Sequence, residues 1–376
     1  MTPSSFPSVL IVADIQSPNF EKKNMQEWED LESVLEIRSK LEELGEKVEI
    51  LESPSKLLQK LSEFSDLAFE ARPVLFHLVE GFLSRNREAL LPSLAEFAGF
   101  PHTGSDAYAQ TLSLDKHLSK LTASSLGIPT ASWGILEINS VEDPTKFPNS
   151  QSPHPNSSSL IGFRGSGLPS GSEFPIFLKP RFEGSSLGIG EENQIIDISS
   201  LQEFLDSKLR THSSWIWETY LPGEEWTVAV IGSTKLGYRV SSVARIDLEG
   251  SPEEVYGEIT KTKLSMPEKL HFDLDENRSR WIQEASLALC RSVGTSGAVR
   301  LDWKADRNGV PNFLEWNLTP GLSSYYSSYP ICYSMDFGSY SQLLAELLMI
   351  AREDFTTERF SYSRQKTEKE TGPYSR

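Results

Sequence analysis

The chain has 376 residues, room for two or three domains, and carries 53 acidic against 36 basic side chains, a net charge of −17. That balance argues against a nucleic-acid partner, because neutralising phosphates takes basic surface. Cys290 and Cys332 sit in no metal spacing and fit a reduced compartment, and no apolar run reaches signal or bilayer length, so a cytoplasmic location without membrane attachment is expected.

Taken in order, Val9 to Ala13 is a continuous apolar run, suited to a strand buried on both faces. Trp28, Leu31, Val34, Leu35, Ile37, Leu41 and Leu44 then recur at helical spacing and close on Gly45, a C-cap residue. A strand over 48–51, a helix carrying Leu57, Leu58, Leu61 and Phe64, and a strand over 74–79 follow. Strands alternating with helices make an α/β unit with a mainly parallel sheet. Ligands of such sheets sit past the carboxyl ends of the strands, here the loops after Ala13 and Val79. Glu80, Gly81, Arg85 and Arg87 lie at that end. An apolar helix over 89–97 leads to Gly99-Phe100-Pro101-His102-Thr103-Gly104-Ser105, and Asp115-Lys116 opens a helix running to Leu126. Residues 139–172 are rich in Pro, Ser, Gly and Asn and bury too little to offset chain entropy, which reads as a flexible surface insertion.

Next, Pro175-Ile176-Phe177-Leu178-Lys179-Pro180 reads as a strand that delivers a lysine, followed by Arg181-Phe182-Glu183-Gly184-Ser185-Ser186-Leu187-Gly188. Backbone N–H groups of a Gly/Ser loop approach phosphate oxygens closely, and a lysine adds a compact charge. A plain hairpin loop can have the same composition. Residues 195–209 carry a helix, and 215–228 read as strand, turn, strand with acids at Glu218, Glu224 and Glu225. Lys261 and Lys263 fall in a polar loop before a helix that ends near Val293.

The segment from Val299 to Gly321 is the centre of the chain. Two alternating apolar runs flank Asp306-Arg307-Asn308-Gly309, which is hairpin chemistry. Side chains two apart in a strand share a face, so Arg300 pairs with Asp302 and Glu315 with Asn317. The hairpin can thus set two carboxylates, an amide oxygen and a guanidinium on one face. Hard oxygens of this kind suit Mg²⁺, with Mn²⁺ a second option; Mg²⁺ keeps waters and completes its shell from phosphates. The bland alternative is an exposed face of ordinary charge pairs. Against it stands Thr319-Pro320-Gly321, whose tight turn brings backbone N–H groups beside the acids. A last helix spans 340–352, and a charged tail, expected to be disordered, begins near Ser361.

Two of these stretches carry a resemblance. Arg300-x-Asp302 with Glu315-x-Asn317-x-x-Pro320-Gly321, and Lys179-Pro-x-x-Glu183-Gly184-Ser185-Ser186-x-Gly188, resemble the metal and phosphate segments of the ATP-grasp ligases, specifically the D-alanine–D-alanine ligase family. The segment 99–105 and the pair Asp115-Lys116 are similar in order and spacing. The resemblance covers roughly 70–355 and is more specific in its nucleotide half than in its substrate half. It implies an α/β ATP-grasp fold, with a pre-ATP-grasp domain over 1–115, a central subdomain over 116–222, a C-terminal subdomain over 223–360 that closes on the nucleotide, and a tail over 361–376. It also implies ATP and Mg²⁺ as cofactors, small amino acids as substrates, and a possible homodimer.

Residue by residue, the resemblance assigns the metal to Asp302, Glu315 and Asn317. Lys116, Lys179, Lys263, Glu183, Gly184, Ser185 and Ser186 go to the phosphates, Glu218, Tyr220, Leu221 and Leu314 to adenine and its surroundings, and Glu225 to the ribose. Arg300 and the N–H of Gly321 would stabilise the oxyanion, Ser185 and Lys263 would act beside them, and Ser327 would hold the second substrate's carboxylate. The implied reaction is ADP-forming joining of a carboxylate to an amine through an acyl phosphate, as in peptidoglycan precursor synthesis. Departures gather at the first substrate: Glu32, with Glu29 beside it, is the acid for its ammonium, Glu80 replaces a histidine, and Leu264 replaces a tyrosine. Glu80 would pair with Arg85 or Arg87, or meet a substrate ammonium. A ligase for another amino-acid or peptide pair, and a non-catalytic nucleotide-binding relative, are the competing readings.

Overall fold

The computed structural model describes residues 6–16, 28–51, 56–64, 66–81, 84–138, 163–164, 169, 173–184, 188–208, 214–247 and 269–355. Most of the expected insertion, the loop containing Lys261 and Lys263, and the tail lie outside the described residues.

Strands Val9–Ala13 (β1), Val48–Leu51 (β2) and Val74–Leu78 (β3) form a parallel sheet in the order β2-β1-β3. The apolar run of β1 is buried on both faces, as a parallel strand requires. Its alternation decides what covers it. Val9, Ile11 and Ala13 pack on helix Leu31–Glu43 (α1), while Leu10 and Val12 pack on helices Leu57–Glu63 (α2) and Leu90–Ala98 (α3). Asp30 caps α1, accepting from Ser33 N at 2.7 Å, and Val34, Ile37 and Leu41 are its buried stripe.

Two helices lead onward. Ala107–Leu114 (α4) is capped by Asp106, and Lys116–Ser125 (α5) by Asp115. Sequence periodicity does not single out α4; its cap fixes it, with Ala109 N donating to Asp106 at 2.9 Å. A five-stranded antiparallel sheet comes next, built from Trp133–Ile138 (β4), Phe163–Arg164 (β5), Ile176–Pro180 (β6), Gln194–Ile195 (β7) and Ser214–Thr219 (β8), in the order β5-β4-β8-β6-β7. Helix Ile198–Lys208 (α6) packs Leu201, Phe204 and Leu205 against it.

The last sheet comprises Glu225–Ser233 (β9), Gly237–Val240 (β10), Ala244–Asp247 (β11), Lys269–His271 (β12), Gly297–Ala305 (β13) and Pro311–Asn317 (β14). Its order is β12-β11-β9-β13-β14, all antiparallel, with β10 also pairing β9. Helices Glu276–Val293 (α7), Ser328–Asp336 (α8) and Tyr340–Phe355 (α9) cover it. The first sheet and this last unit share a single core, because α8, α9, Ala229 and Ile231 pack with β1, β3 and α1. Ser105 joins them as well: its buried hydroxyl donates to Ser296 O at 3.1 Å and accepts from Ser296 N at 3.0 Å.

Truncating that hydroxyl orphans a buried donor and a buried acceptor. Ser105→Ala is expected to lower unfolding free energy by about 1–3 kcal/mol, read from the urea midpoint. An unchanged midpoint would mean that this junction contributes nothing to stability.

Candidate active site

The hairpin of β13 and β14 places its charged groups by register. Arg300 lies opposite Asn317 and Asp302 opposite Glu315, after which Leu314 is skipped and Trp303 pairs with Phe313. Leu314 is thus a bulge residue, a device that re-aims neighbouring side chains beside a site. On the other flank β9 sets Thr227 opposite Asp302 and Glu225 opposite Lys304. Asp302 is buried; it receives Arg300 Nη2 at 2.8 Å and Thr227 Oγ1 at 2.7 Å. Burial pushes its pKa above the ordinary aspartate value, against the pull of Arg300, and the like charge of Glu315 adds to the rise.

Facing this hairpin, the central sheet and α5 contribute lysines. Lys179 on β6 lies 2.8 Å from Glu218 Oε1 on β8, and Lys120 on α5 lies 3.3 Å from Glu218 Oε2. All three side chains are buried. Burial works against the charge of Glu218, but Lys120 and Lys179 outweigh it and hold its pKa below the usual glutamate value. Burial likewise opposes the Lys179 charge, and Glu218, Glu315 and Glu225 together reverse that and raise its pKa. For Lys120 burial dominates and brings its pKa down to about 8. Lys116 closes the side of the cleft: its ammonium donates to Glu183 O of the Gly/Ser loop and lies 3.5 Å from Glu315 Oε2. Arg181 holds the Asp115 cap with two bonds of 2.7 and 2.6 Å, anchoring the helix that presents both lysines.

At the strand-to-strand hinge, the amide of Tyr220 is taken by Pro175 O at 3.0 Å. Tyr220 O and Leu221 N make no hydrogen bond among the described residues, leaving a donor and an acceptor side by side for a planar base. Glu225 receives Lys304 Nζ at 2.9 Å. Glu224, the other acid of this turn, points instead toward Arg245 at 3.8 Å and is half exposed. Gly184 is half-buried beside Glu183; Ser185, Ser186 and Lys263 lie outside the described residues.

The first-substrate side differs from expectation. Glu32 is exposed on the first turn of α1, whereas Glu29 is buried and accepts from Leu322 N at 3.4 Å and Tyr326 Oη at 3.1 Å. Burial raises the Glu29 pKa. A Cβ on Gly321 would stand 2.8 Å from Ser327 Oγ, forcing that hydroxyl to turn away, and 3.9 Å from Glu29 Oε1, so Gly321 lies in close contact with Ser327 and beside Glu29. Glu80 is half-buried, and its backbone N–H and that of Gly81 serve the buried Asp14 carboxylate, which desolvation also raises. Arg87 reaches past this loop to Phe182 O at 2.6 Å, with Glu88 at 3.7 Å and Glu183 at 3.9 Å. Sequence reading missed Lys120, Lys304 and the preference for Glu29. The first two carried a signal: Lys120 is one helical turn from Lys116, and Lys304 two strand residues from Asp302.

The donor set fits a hard divalent cation. Asp302 and Glu315 oppose one another as like charges, and Asn317 Oδ1, which accepts from Thr319 N at 3.0 Å, has a second lone pair. Among the described residues no group of three or more His, Cys, Asp or Glu could hold a metal. Two acids and an amide suit Mg²⁺, which draws the remaining ligands from water and phosphates.

Comparison with known proteins finds similarity in sequence and in fold. Residues 168–349 match the family described as D-ala D-ala ligase C-terminus. A D-alanine–D-alanine ligase of Actinobacillus pleuropneumoniae serotype 5b is 26% identical over 295 residues, which is 78% of this chain and 84% of that protein. The protein y4sG of Sinorhizobium fredii, described as uncharacterized, is 24% identical over 317 residues, 84% of this chain and 86% of its own. Among solved structures, a Bacillus anthracis D-alanine–D-alanine ligase complexed with ATP has a TM-score of 0.65 at 18% identity, covering 93% of this chain and 99% of that one. The Coxiella burnetii D-alanine–D-alanine ligase has a TM-score of 0.66 at 18% identity, covering 96% and 99%. The fold is therefore that of the ATP-grasp ligases, a parallel-sheet domain followed by two antiparallel subdomains. Within that class, residues 168–349 carry the segment described as D-ala D-ala ligase C-terminus, and the relatives matched over most of the chain are divergent from it in sequence. Among the described residues no helix is long and apolar enough to cross a membrane.

Glu218 carries the electrostatics of the lysine side. Glu218→Gln leaves two buried ammonium groups without their counter-charge and is expected to cost about 3–5 kcal/mol in urea denaturation at neutral pH. Because the folded pKa of Glu218 lies below its unfolded value, its contribution is present above the ordinary glutamate range. It fades as pH falls through the folded pKa, and the gap between the two proteins narrows there. An equal gap at all pH values would contradict the pairing.

Proposed function

We propose that the chain is an ATP-dependent, ADP-forming carboxylate–amine ligase that works through an acyl phosphate, most like D-alanine–D-alanine ligase in peptidoglycan precursor synthesis. One observation supports this above the others: buried Asp302, with half-buried Glu315 and Arg300 on the same sheet, faces Lys179 and Lys116, with Lys179 in the field of Glu315. Condensing a carboxylate with an amine is uphill in water, so the carboxylate is first phosphorylated. That transfer needs in-line placement and charge neutralisation rather than covalent help from the protein.

In this reading Tyr220 O and Leu221 N hold adenine, Glu225 meets the ribose, and Lys116, Lys179 and the N–H groups of the Gly184 loop hold the phosphates. Asp302, Glu315 and Asn317 would hold Mg²⁺, which when bound neutralises charge on the outer phosphate oxygens. Arg300 and the N–H of Gly321 then stabilise the oxyanion formed when the amine attacks. Ser327, next to Gly321, positions the second substrate, and Glu29 receives the first substrate's ammonium. Ser185 and Lys263 complete the phosphate side as the family resemblance implies. The buried free thiols Cys290 and Cys332 fit a reducing compartment such as the cytoplasm.

A second reading, a ligase for another amino-acid or peptide pair, is favoured by the acids at the mouth of the first-substrate side. Asp14, Glu29 and Glu80 stand there, and Glu80 occupies the place where the resemblance leads to a histidine. Phosphate release with ATP, Mg²⁺ and a panel of D- and L-amino acids, singly and in pairs, separates the two. Release with D-alanine alone supports the first reading, and release only with other compounds supports the second. No release with any donor contradicts both.

With the active donor, Arg300→Ala is expected to lower kcat by about 10²–10³-fold, the usual loss for one oxyanion donor. Glu315→Ala should abolish ADP production while far-UV circular dichroism stays unchanged. Undiminished turnover in either variant removes that residue from the mechanism.

A further inference from the structure

Lys304 has no place in the chemistry above, yet it stands on the same sheet face. It follows Asp302 by two residues on β13, pairs in register with Glu225 of β9, and donates to Glu225 Oε2 at 2.9 Å. Both side chains are more than four-fifths buried, at 18% and 17% exposure. We infer that Lys304 is a ribose-positioning residue, fixing the Glu225 carboxylate so that its second oxygen receives a ribose hydroxyl and the site favours ribonucleotides over 2′-deoxyribonucleotides. This rests on the nucleotide-binding reading of the cleft.

The geometry supports a role beyond a strand-to-strand ion pair. Glu225 begins β9 directly after the hinge residues Tyr220 and Leu221, so it lies where a sugar attached to a hinge-bound base must pass. Its charge also adds, after Glu218 and Glu315, to the rise in the Lys179 pKa on β6. Among the described residues Lys304 is its hydrogen-bond partner through one oxygen, and Oε1 has none. A carboxylate pinned at one oxygen presents the other in a fixed direction, which is what a directional hydroxyl contact requires. An unpinned glutamate would spend binding energy on ordering its own rotamers. Two N–H groups of Lys304 also stay available, as an ammonium has three donors. The neighbouring acid cannot substitute, because Glu224 is half exposed and turned toward Arg245.

The test measures binding of Mg·ATP and Mg·2′-deoxy-ATP to the full chain by titration calorimetry. Wild type is expected to prefer ATP by about tenfold, the strength of one hydrogen bond to a charged group. Lys304→Met should weaken ATP by about tenfold while changing 2′-deoxy-ATP by less than about twofold, and Lys304→Arg should restore the preference. Equal weakening of both nucleotides, or an unchanged preference in Lys304→Met, overturns the inference, since a merely structural lysine would act on both alike. Failure of the wild-type chain to bind either nucleotide would instead overturn the reading of the cleft, and the role of Lys304 with it.

Discussion

Two sheets that carry buried charges face each other across a cleft, and every residue of the candidate site depends on how those charges are held. On one side, a single carboxylate, Glu218, is shared between the buried ammonium groups of Lys120 and Lys179. On the other, Asp302 and Glu315 stand opposite each other on neighbouring strands. Neither half is comfortable alone. Two lysines share the Glu218 carboxylate, while Asp302 takes Arg300 and Glu315 lies 3.5 Å from Lys116, so the two sides already meet through opposite charges at the edge of the cleft. A low-dielectric setting makes both interactions stronger than they would be in water.

Packing makes the arrangement rigid. The parallel sheet and the C-terminal unit share one apolar core, in which Val9, Ile11 and Ala13 meet Leu343, Leu344, Leu347 and Tyr329. That common core brings Glu29, which follows the first strand, against the Leu322 amide and beside Gly321. Thr130 forms a second tie, accepting from Lys120 at 2.8 Å and donating to Phe313 O at 2.8 Å, so the lysine side is pinned to the hairpin that carries the acids. Chemistry that depends on placement to a fraction of an ångström needs supports of this kind.

Much of this could be read from the sequence, for identifiable reasons. The period of two sets Arg300 with Asp302 and Glu315 with Asn317, but counting from the turn Asp306-Arg307-Asn308-Gly309 would put Asp302 opposite Leu314; the Leu314 bulge, which the sequence does not announce, brings the two pairs onto one face. Lys179 was legible because it ends an apolar strand beside a Gly/Ser loop. Partners supplied by distant segments were not. That Glu29 rather than Glu32 is buried depends on where Leu322 and Tyr326 dock, some 300 residues later. Lys120 resembles any lysine on a helix until β8 places Glu218 beneath it, and Lys304 resembles a solvated strand residue until β9 pairs it with Glu225. Helix α4 escaped for a different reason: a single capping aspartate and long-range packing define it, rather than a strong apolar stripe.

A crystal structure of the chain with Mg²⁺ and a non-hydrolysable ATP analogue tests the central claim most directly. The account predicts a cation within about 2.0–2.1 Å of Asp302 and Glu315 oxygens, the triphosphate reaching Lys116 and Lys179, and the base against Tyr220 and Leu221. A nucleotide bound elsewhere, or one in this cleft with its phosphates turned away from Asp302 and Glu315, would contradict it.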